Sequence, residues 1–134
     1  MPTQIFVNMH VKDLAKSKAF FEQLGYRFNP QFTDDSAACI VISDAIFVML
    51  LTHQKFRDFS PKAICDTSTS AEVLICLSCE SRQQVEDLVA KAVAAGGALY
   101  APAKDYGFMY QHSFTDPDGH HWELVYMAAM PPQA

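Results

Sequence analysis

Hydrophobic and polar positions along the chain follow two periodicities, and their order repeats. Ile5–Val11 (IFVNMHV) reads as a strand, and Asp13 stands where an N-cap belongs, ahead of LAKSKAFFEQL, whose Leu14, Ser17, Phe21 and Leu24 share one helical face. Gly25 is the natural stop. Three further strands are predicted at residues 26–32 (YRFNPQF), 37–43 (AACIVIS) and 46–52 (IFVMLLT), parted by turn residues at Asp34, Asp35 and Asp44. The second half repeats this order. EVLICLSCE (72–80) reads as a strand, and Ser81 with Gln84 forms a capping box. Val85, Leu88, Val89, Ala92 and Val93 then make an apolar helical stripe ending at Gly96 and Gly97. ALYAPAKDY, FMYQHSFT and HHWELVYM follow as strands, the last two joined by a turn at 116–119. Each half therefore reads β-α-β-β-β, an α+β arrangement.

Residues 54–71 (QKFRDFSPKAICDTSTSA), rich in Ser, Thr and charge, read as a surface linker that could also serve as a lid. The expected organisation is one domain over residues 1–134, with module one at about 3–53, this linker, and module two at about 72–127. The tail MAAMPPQA is expected to fray, because its two prolines end any strand.

Ten Lys and Arg against fifteen Asp and Glu leave a net charge of −5, with the basic residues scattered, so nucleic acid is not an expected partner. No basic-then-apolar leader opens the chain, and the longest apolar run, AIFVMLL (45–51), is too short to cross a bilayer. A soluble, cytoplasmic protein without a membrane partner is expected. Of the cysteines at 39, 65, 76 and 79, the CLSC pair most resembles a redox or zinc motif. A strand sends residues three apart to opposite faces, however, and no second pair completes the set, so these are expected to be small structural hydrophobes.

The segment DPDGHHWEL (116–124) concentrates the candidate chemistry. Strand alternation puts His121, Glu123 and Val125 on one face and His120, Trp122, Leu124 and Tyr126 on the other. His120, beside the turn, is expected to face solvent, and Trp122 to lie in the core. Glu123 is the unusual residue: a carboxylate on so apolar a strand is costly unless paired, protonated or in use.

The tandem β-α-β-β-β units, VKDLAKSKAFFEQLGY (11–26) and DPDGHHWEL together resemble the vicinal oxygen chelate superfamily, which includes glyoxalase I, bleomycin-resistance proteins and extradiol dioxygenases. Within it the chain is similar to a subgroup labelled predicted lactoylglutathione lyase. The resemblance implies a U-shaped mixed sheet around a cavity, completed in a homodimer, with a divalent metal on the first and last strands of each module. Carried over one at a time, the ligand positions fall at Phe6, Met49, Leu74 and Glu123, so only the last retains a donor. Three carbon or thioether side chains give a hard or borderline ion no partners, and no metal cofactor is expected there. A rearranged set drawn from His10, His112, His121 and Glu123 is the fallback, holding one nickel, zinc, iron or manganese ion.

The favoured function is a binding protein whose cavity, lined by Phe6, Phe47, Met49, Leu51 and Leu74, takes a small apolar or aromatic molecule. Glu123, Asn8, Gln111, His10 and His121 would orient that ligand. The alternative is a lyase-, isomerase- or dioxygenase-type enzyme with Glu123 as general acid or base. A third reading is a structural role, with the cavity filled by the chain's own side chains, and DYGFMYQHS (105–113) as either a gate or a plain edge strand.

Overall fold

A computed structural model describes residues 2–128. Its contacts separate into two compact units, Met1–Asp66 and Thr67–Ala134, and the boundary falls inside the expected linker.

The first unit opens with β1 (Ile5–Val11) and α1 (Leu14–Gln23). Asp13 accepts the backbone N–H of Lys16 at 3.1 Å and so caps α1, which Gly25 ends at φ 100°. The run at 26–32 is only briefly extended, as β2 (Arg27–Phe28), because Asn29 caps a 3-10 turn over Pro30–Phe32 and Pro30 cannot donate to a ladder. Next come β3 (Ala37–Val41) and β4 (Ile46–Thr52). The sheet order is β1-β4-β3-β2, with β1 parallel to β4 and the other pairs antiparallel. Parallel pairing requires a crossover, which α1 begins. Helix and sheet bury Phe20, Phe21, Met9, Ile40, Val48 and Leu50 between them.

A helix then appears within the expected linker: α2 (His53–Phe59), capped by the Thr52 hydroxyl and packed on β1 and β4. The second unit runs β5 (Leu74–Ser78), α3 (Arg82–Ala94), β6 (Lys104–Asp105), β7 (Met109–Thr115) and β8 (His121–Met127). Its order, β5-β8-β7-β6, with β5 parallel to β8, reproduces the first sheet strand for strand. The Ser81 hydroxyl accepts the Gln84 N–H at 3.0 Å, and the Gln84 side chain returns to the Glu80 N–H at 2.8 Å. Val85, Val89 and Ala92 are buried as expected, but Val93, 45 % exposed, lies off the packed stripe. The ALYAPAKDY stretch pairs only through a bridge at Ala98 and the two residues of β6, with Pro102 between. The expected fraying of the tail concerns residues that, from 129 on, lie outside those described.

Candidate functional site

Each sheet has a helix-covered face and a face turned away from its helix, and register decides which side chains occupy the second. In the first unit the pairs Phe6↔Phe47, Asn8↔Met49 and His10↔Leu51 put all six on that face. Phe6 and Phe47 stack, centroids 4.8 Å apart and rings 12° from parallel, while Asn8 is exposed and Met49 half-buried. The far end is covered. His10 is 3 % exposed and Leu51 2 %, and α2 packs on the two strands that carry them.

In the second unit, Leu74↔His121, Cys76↔Glu123, Ser113↔Glu123 and Gln111↔Val125 define the corresponding face. Leu74 is 55 % exposed. Glu123 is half-buried and paired: the Gln111 amide donates to its Oε2 at 2.6 Å. The pair lines a small cleft of about 60 Å³ with Tyr100, Pro102, Lys104 and Ser113. That holds a few waters or one functional group, well short of the several hundred Å³ that enclose a drug-sized ligand. His121 points the same way, with the Tyr100 ring over it at 4.2 Å between centroids. Cys76, exposed and level with Glu123, has its thiol pKa pushed up by burial and by the Glu123 charge, so it is not primed as a thiolate. Burial likewise raises Cys79.

The turn before β8 carries a buried polar cluster. Asp116 accepts the backbone N–H groups of Asp118 (3.0 Å) and His120 (3.1 Å) on Oδ1 and the Trp122 indole N–H (3.0 Å) on Oδ2. Burial raises its carboxyl pKa, opposed by the charge of His120 and by these donors. His120 does not face solvent as expected. It is 2 % exposed, with Nδ1 3.7 Å from a Glu72 carboxylate oxygen, because it shares the core side of Trp122. The linker is fixed here too, since the Thr67 hydroxyl donates to the Asp118 carbonyl at 2.6 Å. At that contact Gly119 has φ 89°, and an added Cβ would land inside contact distance of the Thr67 carbonyl oxygen.

Sequence reading placed Glu123 and His121 on one face, named Gln111 as a ligand-orienting residue and put Trp122 in the core; the structure brings Glu123 and Gln111 into contact. It did not foresee Tyr100, which no periodicity marks, nor the role of Asp116, for which the six-residue spacing to Trp122 was the available signal. The fallback metal set is divided. His112 pairs with Leu124 and so shares the core-side parity, opposite His121 and Glu123, and its Nδ1 is buried without a hydrogen-bond partner. At the positions where the resemblance would put metal ligands, Phe6, Met49 and Leu74 carry no oxygen or nitrogen donor in their side chains, and Glu123 accepts the Gln111 amide on Oε2.

A sequence profile for the bleomycin resistance protein-like N-terminal family matches residues 3–43. No curated protein matches the chain in sequence. Among solved structures, a hypothetical protein SA1046 from S. aureus is similar, at 29% identity over 94% of each chain and TM-score 0.79. A glyoxalase-related enzyme from Fulvimarina pelagi (21% identity, 100% of this chain and 94% of that one, TM-score 0.79) shares the fold. So does a glyoxalase/bleomycin resistance protein/dioxygenase family enzyme from Burkholderia phytofirmans PsJN (17%, 94% and 99%, TM-score 0.77). The first module thus resembles the bleomycin resistance protein-like N-terminal family in sequence, and the whole chain shares its fold with proteins described as glyoxalase-related or glyoxalase/bleomycin resistance protein/dioxygenase.

Proposed function

We propose that the chain binds a small, largely apolar or aromatic molecule, and that the Glu123–Gln111 pair takes the ligand's hydrogen-bond donor. The observation that carries this reading is the pair itself: a half-buried carboxylate, bonded by one amide at 2.6 Å, in a cleft otherwise lined by Tyr100, Ala101, Pro102, Lys104, His112 and Ser113. One functional group fits there, so the remainder of a ligand must rest on apolar surface. Leu74, 55 % exposed on the same face, and the Tyr100 ring supply such surface within the second unit. The reading requires none of the family's metal chemistry, and it includes the homodimer that the resemblance implies.

Screening aromatic and heteroaromatic amines and amides by thermal shift, then by calorimetry, tests this. A ligand should raise the melting temperature, and Glu123→Gln should weaken its binding about tenfold, since a lost charged hydrogen bond is worth about 1.5 kcal/mol or more. A second reading, an enzyme using Glu123 as acid or base, is favoured by one feature: Gln111 bonds one carboxylate oxygen and holds the group in a fixed orientation. Turnover lost in Glu123→Gln while affinity is retained would select it. One equivalent of metal lost in that variant would instead support the rearranged divalent site.

A further inference from the structure

The cleft of the second unit holds more polar groups than the Glu123–Gln111 bond uses. Directly opposed residues share a face, so the pairs Lys104↔Gln111 and Ser113↔Glu123 carry these side chains onto the side of the sheet away from α3, where all of them line the cleft. Gln111 donates to Glu123 Oε2, which leaves Oε1 without a partner among the described residues. Ser113 is 6 % exposed, yet its hydroxyl has no hydrogen-bond partner among the described residues. Lys104, exposed on β6, makes no ion pair among them, with Glu123 or with any other acid. A carboxylate and an ammonium thus border one cleft without pairing, and both charges are left for a ligand to meet. The Tyr100 ring, 4.2 Å from that of His121 between centroids, gives the cleft an apolar wall.

We propose that the cleft takes the head of a free α-amino acid with an apolar or aromatic side chain, its ammonium at Glu123 and Ser113 and its carboxylate at Lys104. This rests on the reading of Glu123 and Gln111 given above and names the class of ligand. An ammonium carries three N–H donors, of which Glu123 Oε1 and the Ser113 oxygen accept two, and its charge strengthens the bond to the carboxylate. A cleft of about 60 Å³ has room for about four waters, which suits an ammonium and its α-carbon with the carboxylate at the rim. Strands β6 and β8 flank β7 and so lie about 10 Å apart, and Lys104 and Glu123 reach towards each other across that gap. Opposite charges one carbon apart fit between them. A simple amine would leave Lys104 unmet, and a simple carboxylate would set its charge against Glu123. The ligand's side chain rests on the Tyr100 ring and on Leu74, which pairs with His121 on the same face. Ammonium, carboxylate and side chain each have a fixed place, so the cleft distinguishes the two hands of an amino acid.

The test is calorimetric titration of the full-length protein with both enantiomers of phenylalanine and of leucine. The controls are 2-phenylethylamine, which lacks the carboxylate, and 3-phenylpropanoate, which lacks the ammonium. One enantiomer of phenylalanine should bind about tenfold or more tightly than 2-phenylethylamine, and 3-phenylpropanoate should bind more weakly than either. Lys104→Gln should bring the amino acid and the amine to within about twofold of each other, and Ser113→Ala should weaken both about tenfold. An amine that binds as tightly as the better enantiomer, a preference that survives Lys104→Gln, or equal affinity for the two hands would each overturn the proposal. Absence of binding by every amino acid tried would overturn it as well. The broader reading would then stand if an amine or amide from the thermal-shift screen still bound in a Glu123-dependent way, and would fall too if none did. Should Ser113→Ala fail to fold by tryptophan fluorescence, Lys104→Gln, at an exposed position, decides alone.

Discussion

Replacing Gly119 by alanine should destabilise the second unit more than its backbone angle alone predicts. At φ 89° an L side chain is strained, and forcing alanine into the left-handed region costs about 1–2 kcal/mol. Gly25 (φ 100°) and Gly96 (φ 111°) carry the same liability, but a Cβ at either meets nothing within 4 Å. At Gly119 the methyl collides with the Thr67 carbonyl group, whose carbon would lie 3.1 Å away, so the Thr67 backbone must withdraw. Withdrawal stretches the Thr67–Asp118 hydrogen bond, worth about 1 kcal/mol. The expected cost is therefore about 2–3 kcal/mol at Gly119 against about 1–2 kcal/mol at the two controls. At about 4 °C per kcal/mol for a chain of this size, Gly119→Ala should melt about 4 °C or more below Gly25→Ala and Gly96→Ala. The single tryptophan, Trp122, hydrogen-bonds to Asp116 in the same turn, so its fluorescence during thermal or urea unfolding reports on the affected unit. Equal melting temperatures for all three variants would refute the argument that the linker is pressed onto this turn.

Other consequences can be measured with the same assays. Trp122→Phe removes the indole donor to Asp116 and part of a side chain only 1 % exposed, so it should cost about 2–4 kcal/mol by urea unfolding. The raised Asp116 pKa has a defined sign: the folded state holds the proton more tightly than the unfolded chain, whose value is near 3.8. That contribution to stability is complete below 3.8 and is lost as pH rises through the folded value. The melting temperature of wild type relative to Asp116→Asn should therefore rise as pH is lowered from 7 towards 4, and a pH-independent difference would contradict it. Glu123→Gln, at a half-buried position where a neutral amide oxygen can still accept from Gln111, should shift stability by no more than about 0.5 kcal/mol in denaturant titrations.

Much of the fold was legible because its punctuation is local. Asp13 and Ser81 with Gln84 mark helix starts, Gly25 and Gly96 the stops, and the 116–119 turn the last hairpin. Helix α2 was not legible: seven residues without a clean apolar period, inside a polar stretch, look like linker until β1 brings His10 against Phe56. Residues 98–103 misled in the opposite direction, since ALYAPA has the hydrophobicity of a strand while Pro102 interrupts a ladder. His120 is the most instructive case. Its parity with Trp122 already pointed inward, yet its place beside a turn read as solvent; alternation was the better guide, because Glu72 and Asp116 supply the polar neighbours that burial demands. The pairing of Glu123 with Gln111 followed from register that no single strand reveals, and the stack of Tyr100 on His121 depends on an irregular segment.

The Asp116–Trp122 bond also acts on register. A strand that slips by one residue exchanges its two faces, and β8 carries a tryptophan and a carboxylate side by side, the worst neighbours to exchange. With the indole held from the turn, any slip would strand a buried carboxylate and a buried N–H together, so this bond fixes the phase of β8 alongside its ladder. The residues on its other face, His121 and Glu123 among them, take no part in that anchoring. They can be exchanged without disturbing the strand beneath them, which leaves one surface of the sheet open to chemical variation while the other keeps the fold.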